Sequence, residues 1–185
     1  MLLAFASFIA FFIFVRFATP LAGLVAAAIV SLALCGWMLL RREAVKILEI
    51  GSFILFAALA LGTLVFAWTW TLATVRLAVD AGLLVIVLAS LAIGRPFTLQ
   101  YARERVAPEY WDTPTFKVTN RVITVVWAAA FAVLIAADLI AAYVPSVPVR
   151  LAVWVSVAAL VGAFWFTGWY PEVVRRHASP PARQL

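Results

Sequence analysis

From Leu21 to Leu40 the chain runs twenty residues without a charged side chain, and no other feature constrains its fold as strongly. At 1.5 Å per residue, a helix of that length spans about 30 Å, the thickness of a bilayer's hydrocarbon core. Hydrocarbon offers the backbone no water, so a crossing segment must satisfy its N–H and C=O groups internally, as an α-helix does. Composition extends this beyond one run. The chain is 67% hydrophobic and 12% charged, whereas soluble domains are about half apolar and about a quarter charged. The 185 residues therefore predict an all-α integral membrane protein with room for about six spans and no soluble catalytic domain.

Hydropathy and helix punctuation place the spans at 1–19, 21–40, 47–70, 72–93, 122–143 and 150–170, within a single transmembrane domain covering 1–171. Pro20 breaks the first, Arg41-Arg42-Glu43 stops the second, and Gly94-Arg95-Pro96 closes the fourth. Residues 172–185 read as a basic, proline-rich tail that does not pack. Met1 to Val15 lacks a basic leader and a small-x-small cleavage site, so it reads as a retained span.

Charge sets the orientation. Arg41, Arg42, Lys46, Arg95, Arg103, Arg105, Lys117, Arg121, Arg175, Arg176 and Arg183 fall on one side of this layout, and only Arg16, Arg76 and Arg150 on the other. Basic loops stay cytoplasmic, which puts both termini inside. Trp37, Trp111 and Trp169 then mark the inner boundary and Trp68 and Trp70 the outer one. The motifs Val15-Arg16-Phe17-Ala18, Val75-Arg76-Leu77-Ala78 and Val149-Arg150-Leu151-Ala152 each open an even-numbered span that Gly36, Gly94 or Gly168 closes. The pattern suggests three hairpins, either a true duplication or ordinary helix punctuation.

The stretch 94–121 is the one long polar segment and the candidate working surface. Pro96 suits a first helical turn, and Leu99, Ala102 and Val106 give a short cytoplasmic helix an apolar face for the headgroup layer. Asp112 or Thr113 before Pro114 caps the next helix. Arg95, Gln100, Arg103, Glu104, Trp111 and Asn120 form the expected partner-facing surface. The alternative is a solvated connector whose arginines bind anionic lipid headgroups.

A second group of polar residues lies within the spans. Arg76 and Asp80 are one turn apart, Asp138 falls at a similar depth on span five, and Arg16 and Arg150 complete an outer cluster. Such groups pair with one another or line a water-filled path. Glu49, near the inner end of span three, either pairs with Lys46 or faces a cavity.

Other chemistries lack their residues. Cys35 is the single cysteine and His177 the single histidine, so no metal, haem or other cofactor site is expected. No phosphate-binding glycine loop or nucleophile elbow occurs, and no catalytic residues are expected. The net charge of +6 is scattered over short loops, a topology signal rather than a nucleic-acid stripe.

An apolar hairpin, the basic loop Arg41-Arg42-Glu43-Ala44-Val45-Lys46, a span ending in Arg95-Pro96, an amphipathic segment, and Asn120 leading into a span with Trp127 and Phe131 follow in order. This succession resembles the bacterial intracellular septation protein A family. The resemblance implies a non-enzymatic, multi-pass inner-membrane protein of the cell envelope, serving septation and envelope upkeep through contacts with division and elongation proteins. Two alternatives stay open from the residues alone. One is a small transporter or channel using Arg76, Asp80 and Asp138; the other is an accessory subunit of a larger membrane complex. Small-residue runs such as Ala26-Ala27-Ala28 and Ala128-Ala129-Ala130 suit close helix packing in either setting.

Overall fold

The computed structural model describes residues 5–144 and 146–178, with only the backbone of Val149, His177 and Ala178. Among these residues the chain is helical throughout, with no strand. The helices are α1 (Ala6–Phe17), α2 (Pro20–Leu40), α3 (Ile47–Val65), α4 (Leu72–Ala92), α5 (Phe97–Arg103), α6 (Pro114–Tyr143) and α7 (Val149–Ala178), with a 3-10 turn at Pro108–Tyr110. Five helices, α2, α3, α4, α6 and α7, are long and apolar enough to cross a membrane. The molecule is a helical, multi-pass membrane protein. Ile29, Leu32, Leu64, Val85, Leu88, Trp154 and Trp165 point outward, as expected where lipid is the solvent.

Helix ends follow local chemistry. Thr19 caps α2 through Ala22 N–H ahead of Pro20, and Thr71 and Thr74 form a reciprocal capping box on α4. Of the two caps expected before α6, Thr113 is used: its hydroxyl accepts from Phe116 N–H at 3.3 Å. Two helices end in the same hydrogen-bonded motif. Glu43 N–H reaches Met38 O with Arg42 at φ 57°, and Arg95 N–H reaches Ser90 O with Gly94 at φ 73°.

Neighbours pack in the order α1, α2, α3, α4, α6, α7, and α5 tucks against α4 and α6. Because successive spans are antiparallel, the α2–α3 turn, the α4–α6 segment and the last turns of α7 gather at one end. That end carries Arg41, Arg42, Lys46, Arg95, Arg103, Arg105, Lys117, Arg121, Arg175 and Arg176; Arg183 lies outside the described residues. We call it the basic end, and the opposite one the far end. In the centre, Phe8 and Phe11 meet Phe56 at ring distances of 5.1 and 5.7 Å, and Trp127 lies 6.0 Å from Phe131.

Several sequence expectations are corrected. Of span one, expected over 1–19, the described part is the 12-residue helix Ala6–Phe17, about 18 Å long, and residues 1–4 lie outside the described set. Its first described ring, Phe5, stacks at 5.2 Å on Trp127 in the middle of α6, so α1 rises from mid-depth to the far end. Span three ends at Val65, not Trp70, because residues 66–71 form a turn in which the Trp70 indole donates to Thr63 Oγ1 at 2.5 Å. Helix α7 continues through Pro171 to Ala178, so the expected loose tail begins in regular helix; residues 179–185 lie outside the described set. The repeat also loses its common register. Arg16 ends α1, whereas Arg76 and Arg150 lie inside the following spans, and Gly36 and Gly168 are mid-helix while Gly94 is past a helix end.

Candidate functional site

The polar residues concentrate in two places, and the first is at the basic end. Helix α5 does not float in a headgroup layer on Leu99, Ala102 and Val106. It ends at Arg103 and buries Phe97, Thr98, Leu99 and Tyr101 against the bundle. Three anchors hold it there. Thr98 Oγ1 donates to Asn120 O at 2.8 Å and lies 2.7 Å from Thr124 Oγ1 on α6. Ser90 Oγ on α4 accepts from Phe97 N–H at 3.2 Å. Gln100 Oε1 accepts from Ile47 N–H at 2.7 Å, satisfying one of the free donors at the start of α3.

Tyr101 carries α5 into the interior. Its hydroxyl donates to Glu49 Oε1 at 3.2 Å, and Glu49 is only 1% exposed. Burial, then the adjacent Glu49 and Glu104 carboxylates, push the Tyr101 phenol well above its ordinary range, so it stays a proton donor in this bond. Lys46 does not pair with Glu49. Its ammonium binds Glu104 Oε1 at 2.5 Å and lies 4.5 Å from the Tyr101 ring centroid, on the face of the phenol whose hydroxyl serves Glu49.

The expected partner surface therefore divides. Gln100 and Asn120 turn inward, Asn120 being buried with its amide donating to Phe116 O at 2.8 Å. Glu104 is exposed but tied to Lys46. Arg95 and Arg103 remain at the surface, Arg103 stacked 5.2 Å over Trp111, whose indole donates to Val106 O at 2.8 Å. Beside them Lys117 meets Asp112 at 2.9 Å, and this cation holds the exposed Asp112 carboxyl below its ordinary value.

The second place lies toward the far end. Arg76 on α4 does not turn to Asp80 one helical turn away but reaches across to Asp138 Oδ1 on α6 at 3.0 Å. Asp80 is also buried and interacts electrostatically with both Asp138 and Arg76, so two buried acids face one guanidinium. Arg76 Nε and Asp138 Oδ2 are buried without hydrogen-bond partners among the described residues. Arg16 and Arg150 stay exposed and pair with no described acid, so three of the five expected members form the cluster.

Sequence reading missed Tyr101, Thr98 and Thr124 as site residues, and named Lys46 only as a possible partner of Glu49. The available signal was Tyr101 at i+4 from Phe97, which makes a second apolar face on α5.

Compared with known proteins, the chain matches no family model, no curated protein and no solved structure. Fold and site define a class: a multi-pass helical membrane protein with one buried polar cluster near each end. Among the described residues, no group of three or more His, Cys, Asp or Glu could hold a metal ion.

Proposed function

We propose that the chain is a non-enzymatic protein of the bacterial inner membrane that works by binding other envelope proteins and anionic lipid at its basic end, with both termini cytoplasmic. The observation that carries this reading is the docked helix α5. Its anchors to α3, α4 and α6 hold Arg95, Arg103 and Trp111 as a fixed basic and aromatic rim, and arginine with aromatics is the composition of protein contact surfaces. Cytoplasmic placement is supported by the basic residues at that end. A sixth crossing would be completed by α1 together with the residues before it. The role in septation and envelope maintenance rests on the sequence resemblance, with division and elongation proteins as the partners to seek.

The test is charge reversal of Arg103 and Arg105, followed by mild-detergent pull-down from native membranes. Loss of co-purifying envelope proteins is expected; an unchanged partner set and unchanged cell morphology would remove the reading.

A second reading, a small transporter or channel, is favoured by the cluster of Arg76, Asp80 and Asp138 inside the bundle. It requires water access from the far end. Cysteines placed at 80 and 138 that resist membrane-impermeant thiol reagents would eliminate it.

A further inference from the structure

Glu49 is a fully buried acid near the basic end that makes no salt bridge among the described residues. Its Oε1 takes the Tyr101 hydroxyl at 3.2 Å, while Oε2 is fully buried with no hydrogen-bond partner. One turn further along the same face of α3, Ser52 Oγ is also fully buried and unpartnered. Among the described residues, the titratable groups around this point come from three elements. Lys46 at the start of α3 is committed to Glu104 at 2.5 Å, Tyr101 on α5 donates to Oε1, and Cys35 on α2 lies within the electrostatic reach of Glu49. Lys46 forms its salt bridge with Glu104 and acts on Glu49 only at longer range, so no direct ion pair offsets the Glu49 carboxylate among the described residues. A buried charge in a bilayer is expensive enough to demand a partner.

We propose that Glu49 Oε2 and Ser52 Oγ are ligands of a binding site for a small monovalent metal cation of the alkali class, enclosed beneath α5. The donors are hard oxygens, which suit such ions and not thiolate-seeking metals. The net charge selects valence. One carboxylate neutralises one positive charge, and no further His, Cys, Asp or Glu converges among the described residues to balance a divalent ion. The Tyr101 hydroxyl fixes the carboxyl group through its other oxygen, directing Oε2 toward the site, as outer partners orient metal-bound carboxylates. Neither reading of the overall function requires this site.

The test follows thermal unfolding of the full chain in mild detergent while NaCl, LiCl or KCl replaces choline chloride at constant ionic strength and pH. The wild type should show a saturable rise in unfolding temperature with one alkali ion, because a ligand bound only by the folded state stabilises it. Glu49→Gln should abolish that dependence, and Ser52→Ala should weaken the apparent affinity about tenfold, the scale of losing one supporting group at a metal site. Should Glu49→Gln not fold, the Ser52→Ala titration decides alone. Equal stability in choline and alkali salts, a response to pH only, or an unshifted Ser52→Ala curve would each overturn the proposal.

Discussion

Single side chains at two depths control the molecule. Arg76 and Asp138 tie α4 to α6 through a 3.0 Å ion pair. Removing one partner leaves the other charged and buried, so Asp138→Ala should destabilise by about 3 kcal/mol, and the double change Arg76→Leu with Asp138→Leu by much less. Unfolding of each variant in detergent checks this, and equal losses would show that the pair is not coupled. Trp127 is the hub of the aromatic centre: Phe5 stacks on it, Phe97 and Phe131 lie at 6.4 and 6.0 Å, and its indole donates to Thr167 Oγ1 on α7 at 3.0 Å. Trp127→Ala should cost about 3–5 kcal/mol through the cavity it leaves. Trp127→Phe keeps most of the packing and forfeits the hydrogen bond, a loss of about 1 kcal/mol. Melting temperatures ranked wild type, Phe, Ala are the expected result.

Among the elements, α5 is held by polar anchors and α1 by close backbone approach. Gln100→Ala orphans Ile47 N–H and should loosen α5 by about 1–2 kcal/mol. Hydrogen exchange over residues 97–103 should then quicken while the middle of α6 keeps its protection. At Gly23 a Cβ would sit 3.1 Å from both Phe11 O and Val15 N, backbone atoms that cannot rotate away. Gly23→Ala should therefore push α1 off α2 at a cost of about 1–3 kcal/mol, seen as faster exchange confined to α1. The exposed Asp112–Lys117 pair has a pH signature. The folded-state pKa of Asp112 lies below its unfolded value, so its stabilisation is present above the ordinary carboxylate range and is lost as pH falls through the depressed value. Asp112→Asn should abolish that acid-side component and leave neutral-pH unfolding nearly unchanged, since exposed pairs contribute little.

At the scale of the whole molecule, cysteines at positions 42 and 109 should react only from the cytoplasmic side and one at position 68 only from the other. Labelling of all three from one side would refute the arrangement of turns. Much of this architecture was legible without coordinates. Twenty uncharged residues from Leu21 to Leu40 require a helix because hydrocarbon leaves the backbone no other donor or acceptor, and the clustering of arginines in alternate turns follows from the same succession of spans. Thr113 with Pro114 marked the start of α6, since capping is a contact between near neighbours in sequence. Contacts between distant segments were not legible. Nothing local says that Gln100 reaches Ile47, that Lys46 chooses Glu104 over Glu49, that Arg76 passes Asp80 for Asp138, or that Phe5 stacks on Trp127. By itself the sequence determined the solvent, the helices and the grouping of their ends, because hydropathy, charge and capping act over one or two turns of chain. Only the tertiary structure decided which polar residues face inward, because that depends on which helices become neighbours, and in lipid every face of a helix is apolar enough to be a candidate.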